Sequence, residues 1–211
     1  MEELINRVRT LIDTCWESFS AKVGGGLITI NKEASMQLQF AYILKNAMVL
    51  AIHHNDESIE IDLETGVQIN GRIRECDIII NIKKSDTINY LPIEMKCYKK
   101  YAASGGKRGA IDIFMKDIYE DLALLELYAQ KKSFIQGIQY TMTDYRNLAF
   151  PKLRKGKNWN YDTSHGYSIL NGIHLTTPIG GKTVDVKLDG RYEFIWNECN
   201  GFYFIKLENK K

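Results

Sequence analysis

Cys76-Asp77-Ile78-Ile79-Ile80, followed after a turn by Asn89-Tyr90-Leu91-Pro92-Ile93-Glu94-Met95-Lys96-Cys97, is the part of this chain whose reading decides the fold. The isoleucine run is β-branched and suits a strand. The second stretch is also read as a strand, with Pro92 toward its start, where a missing N–H is tolerable. Just upstream, Ile59, Ile61 and Leu63 alternate with Glu60 and Asp62, and Gly66 and Gly71 follow, so an antiparallel hairpin is expected before the third strand. Strand side chains alternate between faces, which assigns residues 73, 75, 77 and 79 to one face and 74, 76, 78 and 80 to the other. By the same rule Glu94 and Lys96 share a face, and Ile93, Met95 and Cys97 form an apolar one.

Two carboxylates and an ammonium are thereby expected to converge. Charged groups inside apolar strands cost desolvation unless something neutralises them, and a hard divalent cation held by oxygen ligands would do so. Phosphodiester hydrolysis needs a cation that polarises the phosphoryl group and activates water, together with a positive group that positions the nucleophile. Asp77, Glu94 and Lys96 supply those parts.

Helices are expected around this sheet. Leu4, Val8, Leu11, Ile12, Cys15, Trp16 and Phe19 recur at helical spacing from residue 2 to about 20, and Gly24 to Gly26 end that helix. Asn31 is read as the N-cap of a second helix running to about His53. After Ala102 to Gly106 a third helix is predicted from about Lys107 to Lys131, with Ile111, Phe114, Ile118, Leu122, Leu125 and Ala129 as its buried stripe. Phe134 to Met142 then reads as a strand, paired in parallel with an earlier one because a helix intervenes. Strand-like segments follow at Tyr167–Leu175, Val184–Leu188, Tyr192–Trp196 and Phe202–Leu207. The expectation is one α/β domain over 1–211, a mixed central sheet flanked by helices, with a β-rich C-terminal extension at about 151–211.

Glu94-Met95-Lys96 has the E-x-K form, and Asp77 lies seventeen positions before Glu94. These two segments resemble the core strands of the PD-(D/E)XK, restriction-endonuclease-like nucleases, over roughly residues 31–143. Cys76 stands where the family name has proline. The resemblance implies that Asp77 and Glu94 ligate Mg²⁺, with Mn²⁺ able to substitute, and that the backbone carbonyl of Met95 completes the protein's ligands. It implies that Lys96 positions the attacking water and that Glu33, on the second helix, supports the metal, in one form through water, with Gln37 one turn later facing the same way. One metal or two is left open. A freestanding chain of this size most resembles a type II restriction endonuclease acting on double-stranded DNA, for which a homodimer would match the two-fold symmetry of the duplex. The alternatives are a structure-selective repair or recombination nuclease such as a Holliday-junction resolvase, and a non-catalytic DNA-binding or interaction module on the same fold.

Several other residues carry two readings. Lys99, Lys100, Lys107 and Arg108 bracket Gly105-Gly106 and either receive a phosphate beside a helix N-terminus or form a solvated loop. Lys152, Arg154, Lys155 and Lys157, followed by Trp159 and Tyr161, either grip DNA or are an exposed basic run. Glu75 is a replacement ligand on the expected face of Asp77. His53-His54 is assigned to capping a helix dipole rather than to metal binding. Asp162, Thr163, Ser164 and His165 are consecutive, and consecutive loop residues rarely aim at one reacting atom, so a catalytic triad is rejected. Asp117, Glu120 and Asp121 are read as the exposed polar face of the third helix.

Composition sets the frame. Of 211 residues, 45% are hydrophobic and 26% charged, as in an ordinary globular protein. The net charge of +2 demands no polyanionic partner, so any DNA surface must arise from local clustering. Four scattered cysteines without a CxxC pair indicate neither a zinc knuckle nor a disulfide framework, and a reducing cytoplasm is expected. No apolar run approaches the roughly 18 residues a membrane span requires.

Overall fold

The computed structural model describes residues 1–102 and 104–210. Two helices, α1 (Glu2–Gly24) and α2 (Glu33–Ala47), open the chain, and a short 3₁₀ turn, Met48–Ala51, follows α2. Three strands come next, β1 (Glu57–Ile69), β2 (Arg72–Lys84) and β3 (Thr87–Tyr98), then α3 (Ile111–Ala129), β4 (Ile138–Thr143) and the single turn α4 (Arg146–Ala149). The last third holds β5 (Ser168–Ile169), β6 (Ile173–Leu175), β7 (Val186–Leu188), β8 (Tyr192–Glu193), β9 (Asn197–Cys199) and β10 (Phe202–Leu207). The central sheet has the order β1-β2-β3-β4-β10-β9, in which only β3 and β4 run parallel. It is the expected mixed sheet, with the parallel pair joined through α3.

Its two faces are covered differently. The side of Ile78, Ile80, Ile93, Met95 and Tyr140 packs against α1 and α2, where Trp16 lies 4.3 Å from the Tyr140 ring and 5.3–5.8 Å from Phe19, Phe40 and Phe204. α1 buries Leu4, Val8, Ile12 and Phe19 completely, each worth about 1.5–3 kcal/mol of removal from water. The other face carries α3 and the C-terminal segment, where Tyr119, Leu122 and Phe194 are fully buried together.

Several boundaries differ from expectation. α2 stops at Ala47 rather than running to His53, and its N-cap is Lys32, not Asn31. The Ser35 hydroxyl instead reaches back to receive the Asn31 and Lys32 N–H groups, the return half of a capping box. α3 begins at Ile111 because residues 107–110 run on from the preceding loop, and β4 is delayed to Ile138. β10 is not part of a peripheral extension but a strand of the central sheet beside β4; β5–β8 and β6–β7 are small two-stranded sheets outside it.

The β1–β2 hairpin is long and turns at Asn70-Gly71, both with positive φ (48° and 77°), the geometry of a type I′ turn. β2 pairs with β3 only from Ile78 onward, so residues 65–76 form a two-stranded arm beyond the rest of the sheet. Val67, Ile69 and Cys76 on its inner side meet Leu125 and Tyr128 of α3.

Candidate functional site

The arm leaves the sheet at Asp77, and the site is built in the opening. The β1–β2 register passes from Leu63↔Ile78 to Thr65↔Cys76 with Glu64 and Asp77 unpaired, and Glu64 has φ of 49°. A non-glycine residue in that region is uncommon and carries a conformational cost. Strict alternation fails here: Cys76 packs with Ile79 on the α3 side, whereas Ile78 and Ile80 face α1 and α2. The predicted division of residues 73–80 into odd and even faces is therefore corrected at Asp77, where the β1–β2 ladder is interrupted and pairing with β3 ends.

Parting strands expose backbone donors. With β2 gone, the Met95 N–H donates to Asp77 Oδ2 at 2.6 Å and the Cys97 N–H to Glu33 Oε2 at 3.1 Å. Two carboxylates thus replace the missing strand along the edge of β3. In an extended chain the N–H and C=O of one residue point to the same side, so the Met95 carbonyl faces the same opening. Gln37 Nε2 ties the geometry down by donating to the Asp77 carbonyl and to Glu64 Oε1, each at 2.7 Å.

Glu94 and Lys96 share the α3-facing side of β3 as the sequence predicts, and Ile93, Met95 and Cys97 are buried on the other. Lys96 Nζ lies 3.4 Å from Glu33 Oε1 and 3.3 Å from Asp121 Oδ2. Asp121 is the principal correction: it is not on an exposed face of α3 but points into the site, with 13% of its side chain accessible. The signal was present, since Asp121 stands three residues after Ile118 and four before Leu125 of the buried stripe. Asp117 and Glu120 instead pair with Lys116, both at 2.6 Å.

Parallel pairing of β3 with β4 sets Gln139 beside Glu94 and Thr141 beside Lys96. Both are fully buried, and Gln139 Nε2 donates to Thr141 Oγ1 at 2.7 Å. Sequence reasoning missed Gln139, Thr141, Glu64 and Tyr128, because their relation to Glu94 depends on strand register and helix docking. Among the described residues six buried side-chain polar atoms lack a hydrogen-bond partner. Four of them, Glu94 Oε1, Asp121 Oδ2, Gln139 Oε1 and the Tyr128 hydroxyl, belong to this site, and of these Asp121 Oδ2 has only its ion-pair contact with Lys96.

Crowding of acids in a dry place shifts their ionisation. Burial raises the Asp77 carboxyl to about 6 against the pull of Lys96 and the Met95 N–H. Burial, with Lys96 opposing it and Asp77 adding to it, lifts Asp121 to about 7, and Glu94 goes well up through burial and the repulsion of Asp121 and Asp77. For Lys96 burial works against the charge, but Asp121, Glu33, Asp77 and Glu94 together outweigh it and hold the ammonium protonated. The patch contains more acid than Lys96 can neutralise.

As a donor set these oxygens suit a hard cation in kind. Among the described residues, no three Asp, Glu, His or Cys side chains are gathered closely enough to form a ready cage. Holding an ion would draw the carboxylates of Asp77, Glu94 and Asp121 together.

The remaining candidates separate clearly. Glu75 is exposed, and Glu64 is the neighbouring acid that reaches Gln37 and Asp77's surroundings instead. Arg108 borders the groove containing Glu33 and Lys96 and donates to the Asn31 carbonyl at 3.2 Å. Lys99 pairs with Asp144 at 3.0 Å and lies over Phe202, Lys100 covers Tyr101, and Lys107 is exposed. Lys152, Lys155 and Lys157 are exposed, while Arg154 binds Ser164 Oγ and lies 3.5 Å from Asp162. His53 and His54 follow the 3₁₀ turn rather than α2, and their backbone N–H groups donate to Glu57 Oε2. The segment 162–165 is a braced turn: Asp162 Oδ1 receives the Ser164 N–H, Thr163 Oγ1 donates to the Leu148 carbonyl, and His165 Nδ1 accepts from the Trp196 N–H.

Compared with known proteins, the chain matches no family model, no curated protein and no solved structure. No helix among the described residues is long and apolar enough to cross a membrane.

Proposed function

We propose that this protein is a divalent-metal-dependent endodeoxyribonuclease whose site comprises Asp77, Glu94, Lys96 and Glu33, with Asp121 added. The observation that carries the reading is the set of buried polar atoms without a hydrogen-bond partner at Glu94, Gln139 and Tyr128, beside an Asp121 whose Oδ2 is met by Lys96 alone, in a patch whose carboxyls are raised by burial and mutual repulsion. Buried polar groups are ordinarily satisfied, so such a cluster points to a positively charged ligand. Asp77, Glu94 and Asp121 would hold Mg²⁺ or Mn²⁺, with the Met95 carbonyl as a neutral donor and Glu33 reaching it through water. Bound there, the cation would polarise the phosphoryl group and acidify a water.

The chain's own groups have distinct tasks. Lys96, kept protonated by four acids, orients the attacking oxygen and opposes negative charge developing on the phosphoryl oxygens. Glu33 holds Lys96 from one side and fixes the β3 edge through Cys97. Gln37 fixes the departure of β2, which sets where Asp77 points. Double-strand cutting in the manner of a type II restriction endonuclease would call for a homodimer, a step that rests on analogy. Four free cysteines suit a reducing, cytoplasmic setting.

The test is cleavage of supercoiled plasmid and phage DNA with Mg²⁺ or Mn²⁺ by the wild type, Glu94→Gln, Lys96→Ala and Asp121→Asn, with an EDTA control. Cutting by the wild type alone, and loss of roughly a hundredfold or more in each variant, is the expected result. Equal cutting by all the proteins, or no cutting of duplex, junction or single-stranded DNA under any condition, would sink it.

A further inference from the structure

Beside the site lies a cleft of about 1000 Å³ between the β1–β2 arm and the segment before β7, with α3 as its floor. We infer that this cleft is the track for the sugar-phosphate backbone of duplex DNA, held by Arg72, Arg74 and Lys182 and leading to Asp121 and Lys96. This inference rests on the nuclease reading and names the surface by which its substrate is held.

The register determines which way the arginines face. Arg74 is opposite Val67 and Arg72 opposite Ile69, and directly opposed residues share a face of a hairpin. Val67 and Ile69 are buried toward α3, so the arginines also lie on the inner face of the arm, yet both remain exposed. Lys182 lies across the cleft, just after the Gly180-Gly181 turn. Among the described residues, none of these three cations has an ion-pair partner.

Among the acids lining the cleft, Glu120 is paired with Lys116 and Asp185 contacts His174 at 2.6 Å, while Asp121 belongs to the proposed reaction centre. Outside that centre the cations of the lining outnumber the acids, as a phosphate track requires. Among the described residues no aromatic side chain lines the cleft, which favours contact with the backbone of a duplex over stacking of unpaired bases. Asp121 lines the cleft and touches Lys96, which makes the track continuous with the proposed reaction centre.

The measurement is fluorescence anisotropy of the full chain with a labelled DNA duplex, in EDTA so that cleavage plays no part, across a series of salt concentrations. Arg72→Ala/Arg74→Ala/Lys182→Ala is compared with Lys22→Ala/Lys45→Ala/Lys83→Ala, which removes three exposed cations elsewhere. Loss of three phosphate contacts should lower the slope of log affinity against log salt by about 2.7, and weaken binding by roughly tenfold or more at low salt. The control triple should keep the wild-type slope. Equal slopes in the two triples, absence of wild-type duplex binding, or a change confined to a single-stranded competitor would each overturn the cleft assignment. Cleavage by a wild type whose cleft triple binds normally would leave the nuclease reading standing and remove only the track, whereas cleft-dependent binding without metal-dependent cutting would do the reverse.

Discussion

Asp77→Asn should make the metal-free protein more stable at alkaline pH while removing the proposed nuclease activity. The native carboxyl is raised from the usual aspartate value near 3.8 to about 6, chiefly by burial. A group whose folded value is raised contributes stability that is complete below its unfolded value and lost as the pH climbs through the folded one. At pH 8 the ionised Asp77 therefore carries a cost of about 3 kcal/mol, and at pH 5 about half of that. Asparagine removes the charge and still offers an oxygen to the Met95 N–H, though as a weaker acceptor, giving back about 1 kcal/mol. The net gain of about 2 kcal/mol corresponds to a rise in Tm of roughly 4–8 °C for a chain of this length. Thermal melts in EDTA at pH 8 and pH 5 read it directly, with the gap between the two proteins shrinking to roughly a quarter at pH 5. Millimolar Mg²⁺ should raise the wild-type Tm and leave the variant nearly unmoved. A variant that melts at or below wild type at pH 8 would refute the reasoning, because Asp77 would then be a satisfied ion-pair partner and not an acid short of a cation.

Glu57→Gln should act in the opposite sense. Arg7 and Lys84 hold this carboxylate at 2.6 and 3.0 Å, and His53 and His54 donate to it, so despite burial its ionisation lies below the usual glutamate range. Its contribution is present above the unfolded value and lost as pH falls, so the variant should melt lower than wild type at pH 7 with the gap closing in acid, and an equal Tm at pH 7 would count against it. Gly137→Ala should destabilise by about 1–3 kcal/mol, measured by urea denaturation, because its methyl group would meet the Pro92 carbonyl at 2.6 Å and Leu125 at 2.5 Å. Gln37→Ala should reduce cleavage with little change in DNA affinity, since the side chain braces Asp77 from behind; an unchanged rate would remove it from the site.

Most of the fold was legible because its signals are local. Alternation in β1, the isoleucine run of β2, the E-x-K strand and the 3.6-residue stripes of α1 and α3 each report a buried face directly. The same periodicity set Glu94 and Lys96 on one side of β3. Gly66 and Gly71 signalled a hairpin without saying which of them held its tip, and Phe202–Leu207 matched its strand end to end, although nothing local told that this last strand joins the central sheet beside β4.

What the tertiary structure decided concerns relations between distant segments. The splitting of β2 from β3 at Asp77 is a property of two strands and a docked helix, and it is what turns Met95 and Cys97 N–H groups toward Asp77 and Glu33. Asp121 reads as one polar residue among three on α3 until the docking of that helix aims it at Lys96 and leaves Asp117 and Glu120 to Lys116. Gln139 and Thr141 joined the site only through parallel register, and Arg72 and Arg74 line the cleft only through the register of the arm. The sequence by itself determined which residues could carry charge into a buried sheet, because burial periodicity is written along the chain; which charges meet there was decided by packing, because meeting requires residues far apart in the chain to share one small volume.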